Sequence, residues 1–241
     1  MKPFVLLSDF AILPREAGGE STLRDFLSLA RQCHTRTLVC EITREQAPDF
    51  IPPETASSPE VLLASTDVSC AADYYVAEAR DIVIDGQSYQ MPGDAEEMRT
   101  LLHSLRGDSQ LLFRAVFEKL ASLAHDPRYK VVRFPTLSLL GTDALGDPQK
   151  RQLMLDAADA WLDRNAVFEV RTAGRASIAY PSAYLLRRIG ERRGCVTLSS
   201  GAQNAKMMFR GFDMACSQLH ACGIGALSVP VKGGWESVPL Q

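Results

Sequence analysis

The chain has 241 residues, 46% hydrophobic and 23% charged, which suits one large α/β domain and argues against disorder. A formal charge of −3 gives no general attraction to nucleic acid or membrane, and no apolar run approaches the ~18 residues that cross a bilayer. Cys33, Cys40, Cys70, Cys195, Cys216 and Cys222 form no C-x-x-C pair and are expected to be reduced and mostly buried, as in a cytoplasmic protein.

The first residues are too short in their apolar part, and too soon interrupted by Asp9, for a signal peptide; residues 4–7 read as a first buried strand. Ser21-Thr22-Leu23-Arg24 opens a helix that puts Leu23, Phe26, Leu27 and Ala30 on one face. A second strand is expected over 37–41. Residues 47–69, rich in Pro, Ser and Thr, read as a long loop with no more than one helical turn. A strand at 74–77 precedes a small hairpin over 82–89 on the turn Asp85-Gly86. A helix runs from Asp108 to about Ala124 and stops before Asp126-Pro127. After a strand at 131–134, Asp147-Pro148 opens a helix with Leu153, Leu155, Ala158 and Trp161 as its apolar members. Strands follow at 167–170, 196–199 and 224–229, with a helix opened by Pro181 between the first two. This alternation implies a parallel α/β sheet or barrel, and the strand count does not separate the two.

Of the four histidines, His34 and His220 fall near helix ends, His103 in a helical run and His125 before Asp126-Pro127, and all read as surface or capping residues. No G-x-S-x-G elbow is present. Arg187, Arg188, Arg192 and Arg193 make the most basic segment, which reads as the solvated face of a helix rather than a nucleic-acid patch.

The stretch from Phe168 to Asp213 holds a strand ending at Thr172-Ala173-Gly174, then Tyr180-Pro181-Ser182 and a helix, then a strand ending at Ser200-Gly201-Ala202-Gln203. This order resembles the C-terminal half of the histidinol-phosphatase-like branch of the PHP (polymerase and histidinol phosphatase) superfamily. There a glutamate strand with "NTAG", a "YP" helix start and a "GSDAH" strand end follow one another. The resemblance implies an α/β fold, a distorted seven-stranded (β/α)7 TIM-like barrel forming a single domain over residues 1–241. In such barrels the working residues lie at the C-terminal ends of the strands.

The metal ligands that the resemblance implies are replaced. Ala11 and Leu13 stand where the family has the histidines of D-x-H-x-H, with Asp9 retained. Ile42 stands for the histidine of E-H, beside a retained Glu41. Arg80 falls near the histidine of a "D…S-V-H" strand, Phe134 takes the histidine's place in "GHPDL", and Gly201 and Gln203 replace the ligands of "SDAH". Glu169 is a further residual carboxylate. Arg171, Arg175, Arg210 and Arg80 form a candidate anion-binding set, since guanidinium groups hold phosphate or carboxylate bidentately. Two other roles stay open for these arginines and for Arg133, which lies beside Phe134. They are solvated or paired with Asp9, Glu41, Asp81 and Glu169, or their pairing with Glu41 and Glu169 fills the old metal cavity.

The function expected is that of a pseudoenzyme with no metal cofactor. It would bind a phosphorylated or carboxylated small molecule, or a protein partner, with neither nucleic acid nor membrane among its targets. The alternatives are a phosphoesterase holding Mg or Mn on a relocated carboxylate site (Asp9, Glu41, Asp81, Glu169), and a structural subunit of a larger assembly.

Overall fold

The computed structural model describes residues 8–15, 18–42, 59–92, 95–135, 146–172 and 180–240. In chain order the elements are β1 (Ser8–Ile12), α1 (Leu23–Gln32), β2 (Thr37–Glu41), β3 (Glu60–Ser65), β4 (Tyr74–Ala77), β5 (Asp81–Ile84), β6 (Gln87–Gln90) and α2 (Ala95–Ser104). Then come α3 (Ser109–Leu123), β7 (Tyr129–Val132), α4 (Pro148–Leu162), β8 (Val167–Arg171), α5 (Ala183–Glu191), β9 (Cys195–Ser199), α6 (Phe212–Ala221), β10 (Ala226–Val231) and β11 (Gly234–Pro239).

Seven strands pair in parallel in the order β1-β2-β3-β4-β7-β8-β9 and curl into a nearly closed barrel. Strand alternation divides the side chains between two apolar groups. Leu38 and Cys40 of β2, Phe168 and Val170 of β8, and Val196 and Leu198 of β9 pack against the helices. Phe10, Ala11, Val39, Leu62, Ala64, Tyr74, Val76 and Val131 fill the barrel interior. The helices start where their caps dictate. Thr22 and Asp25 form a reciprocal capping box on α1, Asp108 caps α3, and Asp147 caps α4 with Pro148 in its first turn.

Four expectations need correction. The described first strand is Ser8–Ile12, while residues 4–7 lie outside the described residues; Asp9 and Ala11 are therefore inside a strand rather than past its end. An acidic residue tolerates that place because its carboxylate is fully hydrogen-bonded, as shown below. Second, β3 lies within the segment expected to be a loop. Its pattern is hidden by flanking Pro and Ser, yet it has a strand on each side to pair with. Third, β10 is not a barrel strand. It forms an antiparallel hairpin with β11, and this hairpin closes the end of the barrel where the strands begin. Trp235 lies 5.9 Å from Phe10 and 4.8 Å from Tyr74 (ring centroids), and the Tyr74 hydroxyl donates to Val231 O at 2.6 Å. Fourth, Pro181 precedes the N-cap Ser182 instead of occupying the first turn of α5. In α4 the buried face is carried by Met154, Ala157, Ala158, Trp161 and Leu162, with Leu153 and Leu155 only half-buried.

The hairpin on Asp85-Gly86 forms as expected, with both turn residues at positive φ. Arg188 and Arg192 of the basic helix are paired with Asp159 of α4, at 2.7 and 3.2 Å, and Arg192 also meets Asp163. All four histidines are exposed. None of the cysteines is in a disulfide; Cys40, Cys70 and Cys216 are buried, but Cys195 is exposed at the start of β9. Among the described residues no helix is long and apolar enough to cross a membrane.

Candidate functional site

At the C-terminal ends of the barrel strands the interior changes from apolar to charged. Val39 is followed two residues on by Glu41, Val76 by Glu78, Val131 by Arg133, and Val167 by Glu169 and then Arg171. The period of two along each strand sends all of these toward the barrel axis.

Arg133 is the centre of this layer. Its side chain is 5% exposed, and all three guanidinium nitrogens are engaged. Nε donates to Glu169 Oε2 at 2.6 Å, Nη2 to Glu41 Oε2 at 2.9 Å, and Nη1 to Glu41 Oε1 at 3.0 Å and Glu78 Oε2 at 3.2 Å. Arg80, about half-exposed, covers the outer edge by donating to Glu41 Oε1 and Glu78 Oε2, both at 2.8 Å. Two arginines and three glutamates thus form one continuous network.

Burial alone would push the Glu41 carboxyl up. The charge and hydrogen bonds of Arg133, with the charges of Arg171 and Arg80, outweigh it and hold the group at about 2. Burial likewise opposes the Arg133 charge, and its three glutamate neighbours drive the guanidinium further toward the protonated form.

Asp9 forms a separate arrangement. It is fully buried and, among the described residues, pairs with no arginine. Oδ1 accepts from the Ser200 N–H at 2.8 Å, and Oδ2 from the Ser200 hydroxyl at 2.6 Å and the Phe209 N–H at 3.3 Å. Burial raises its carboxyl to about 6 despite these bonds, and Glu169 adds a smaller push in the same direction. β1 and β9 share no strand ladder, so Asp9 together with the Leu13 N–H to Ala202 O bond at 2.8 Å fastens the barrel seam.

The expected site residues are distributed as follows. Ala11 is buried in the interior at φ 66°, inside the irregular stretch of β1. Leu13 is half-buried on the seam, and Gln203 is exposed with its carbonyl accepting from the Glu20 and Ser21 N–H groups. Ile42 and Phe134 are buried on the helix side, Phe134 stacking on Phe168 with centroids 5.8 Å apart. The inward residue of the Arg133-Phe134 pair is therefore Arg133. Of the candidate anion-binding set, Arg80 is engaged by Glu41 and Glu78, Arg210 is exposed with Nη1 beside Met207 Sδ at 3.3 Å, and Arg175 lies outside the described residues. Asp81 is exposed on β5, away from the layer. Glu78 was missed, although its place directly after a strand was signal enough.

Among the described residues Arg171 makes no ion pair, and its buried Nε has no hydrogen-bond partner. Its guanidinium lies over Gly201, which sits at φ 59°; a Cβ at 201 would overlap Arg171 Nε, Cζ and Nη2. Gly201 is thus needed both for its backbone conformation and for space. Gly201→Ala is expected to lower stability by about 1–2 kcal/mol. In chemical denaturation, adding Arg171→Ala to that variant should recover the steric part alone; an unchanged midpoint for Gly201→Ala would refute the close approach.

A zinc or two-metal hydrolytic centre needs several oxygen and nitrogen donors with lone pairs turned to a common point. The described residues at this end do not fit such a group. Of six carboxylate oxygens on Glu41, Glu78 and Glu169, four already accept from guanidinium groups, and a cation occupies the space between them. No group of three or more His, Cys, Asp or Glu side chains among the described residues is arranged to hold a metal ion.

No family model and no curated protein matches the sequence. Solved structures do match. A protein from Listeria monocytogenes assigned as a histidinol phosphatase superposes with a TM-score of 0.65 at 10% identity, covering 87% of this chain and 100% of its own. A histidinol phosphate phosphatase from Lactococcus lactis, complexed with zinc, L-histidinol and phosphate, gives 0.66 at 12% identity, covering 96% and 99%. The chain therefore has the barrel fold of the PHP-superfamily histidinol phosphatases.

Proposed function

We propose that this chain is a non-hydrolytic barrel of the PHP type, a pseudoenzyme that binds a phosphorylated or carboxylated small molecule at the C-terminal ends of its strands. The observation that carries this reading is the buried Arg133, whose guanidinium binds the carboxylates that a hydrolytic metal would require. A centre that generates hydroxide from water works by lowering the pKa of a metal-bound water; a guanidinium among glutamates has no open coordination position for that water. Arg171 supports the binding half of the proposal. It stands at the mouth with no carboxylate partner among the described residues, and its planar donors suit an oxyanion.

The rival reading, a metal-dependent phosphoesterase, is favoured by the fold neighbours, one of which holds zinc together with L-histidinol and phosphate. One experiment separates the two. Purified protein is incubated with zinc, manganese or magnesium and offered histidinol phosphate, with elemental analysis of the dialysed sample. The expected result is no phosphate release above background, no stoichiometric metal, and a thermal shift with inorganic phosphate that Arg171→Gln abolishes. Sustained turnover, or metal retained at one or more ions per chain, would overturn the proposal.

A further inference from the structure

The barrel end opposite the charged layer holds a cleft of its own, where the β10–β11 hairpin meets the starts of β7 and β8. Tyr129 and Lys130 of β7, Arg164, Asn165 and Ala166 of the turn into β8, and Trp235 of β11 line a cavity of about 110 Å³. Its two charged groups, Lys130 and Arg164, are both cations, and no carboxylate among the described residues lines it. Arg164 is half-buried and fixed in place. Its Nη1 donates to Ala124 O and, at 3.0 Å, to Asp126 O, and the guanidinium lies 5.7 Å from the centre of the Trp161 ring. These contacts orient the fork while leaving Nε and Nη2 without a partner among the described residues. The Asp126 carboxylate, close enough to feel the Arg164 charge, is already held by Arg128 at 2.6 Å. Beside the cations stands an apolar wall. Trp235 packs 4.8 Å from Tyr74 and 5.9 Å from Phe10 (ring centroids), yet it and Tyr129 are only half-buried.

We infer that this cleft is a second ligand site, for a small organic acid whose carboxylate is held by Arg164 and Lys130 and whose apolar body lies on Trp235 and Tyr129. A guanidinium held in one plane meets a planar carboxylate through two parallel bonds, and the adjacent ammonium adds charge. The aromatic wall would be wasted on a bare inorganic ion. Size narrows the class further. A cavity of about 150 Å³ encloses benzene, so a slightly smaller one with exposed Lys130 and Asn165 at its rim suits a single ring or a short chain, and not a nucleotide.

The test uses the full chain carrying Arg171→Gln, so that no acid held at the C-terminal ends of the strands contributes. Sodium benzoate is the probe and tryptophan fluorescence the readout, since Trp235 lines the cleft and Trp161 carries Arg164. A saturable change is expected. Benzamide, which has the shape without the charge, and acetate, which has the charge without the ring, should each bind about tenfold more weakly or worse. Inorganic phosphate should leave the signal unchanged. Lys130→Glu and Asn165→Asp both place a carboxylate in the cleft at exposed positions, and aspartate tolerates the φ of 54° found at 165. Both should weaken benzoate by about tenfold or more, whereas Lys206→Glu, the same charge change beyond β9, should not. Benzamide or acetate binding as well as benzoate, or the cleft variants behaving like Lys206→Glu, would overturn the inference. So would the absence of any response, which leaves the proposed function untouched. A response seen in wild type but lost with Arg171→Gln would place the acid at the other end of the barrel and overturn the inference while supporting that function.

Discussion

Arg133→Ala is expected to cost about 3–5 kcal/mol of folding stability, the usual range when one member of a buried ion network is deleted. For a chain of this size that lowers Tm by roughly 6–20 °C. The loss comes less from the missing attraction than from what is left behind. Glu41 and Glu169 are buried, and without Arg133 they face each other with, among the described residues, the half-exposed Arg80 and Arg171 as the nearby cations. Glu41, without the Arg133 charge that holds its carboxyl down, would then take up a proton more readily, so the cost should be smallest at low pH and grow toward neutrality. Arg133→Lys retains the charge but not the three-nitrogen fork, and an intermediate loss is expected.

Replacing Arg133, Glu41 and Glu169 together by Met and Leu should behave differently. Removing the three buried members leaves Arg80 and Glu78 paired with each other at the outer edge, and such replacements of buried ion networks are often neutral or stabilising by about 1–4 kcal/mol. Thermal unfolding of the single and triple variants at neutral pH checks both statements. If the triple variant is as unstable as Arg133→Ala, desolvated charge is not the cause, and the network matters for shape instead.

The barrel was legible in the sequence wherever local chemistry decides structure. β2 and β4 have the expected bounds because runs of three (Leu38–Cys40) and four (Tyr74–Ala77) apolar residues end at Glu41 and Glu78. The capping residues Thr22, Asp108 and Asp147 mark helix starts through bonds to their own next few residues. What was hidden depends on partners far along the chain. β3 is a strand because β2 and β4 flank it, and β10 leaves the barrel because Trp235 and its turn dock on Tyr74 and Phe10. The site follows the same division. That imidazole ligands are missing could be read residue by residue. That Arg133 binds Glu41 across 92 positions, and Asp9 binds Ser200 across 191, could not. The expectation that arginines pair with Glu41 and Glu169 matches the arrangement found. Arg80, assigned to an anion-binding set, is held by Glu41 and Glu78, because a local pattern could not say which carboxylate lay nearest.

Asp9 and Glu41 should give the protein opposite responses to pH in adjacent windows. Asp9 titrates near 3.8 when unfolded and at about 6 when folded. Between those values the folded chain holds a proton that the unfolded chain has released, so stability falls as pH rises. Above about pH 6 the full cost of about 3 kcal/mol persists, and below 3.8 it vanishes. Glu41 is held at about 2 against an ordinary 4.5. Its contribution, again about 3 kcal/mol, is fully present above 4.5 and is lost as pH falls toward 2. Together they place the stability maximum of these two groups near pH 4–4.5, on the acid side of neutrality. Asp9→Asn isolates the upper window. The amide can still accept from the Ser200 N–H and donate to the Ser200 hydroxyl oxygen, while the bonds that the Ser200 hydroxyl and the Phe209 N–H donate to Oδ2 are lost. It should therefore be slightly less stable than wild type at pH 4 and more stable by about 2 kcal/mol at pH 7, because the amide has no charge to bury. Urea unfolding at pH 4, 5, 6 and 7 measures the crossing directly. Parallel curves for the two proteins would show that ionising Asp9 costs the barrel seam nothing.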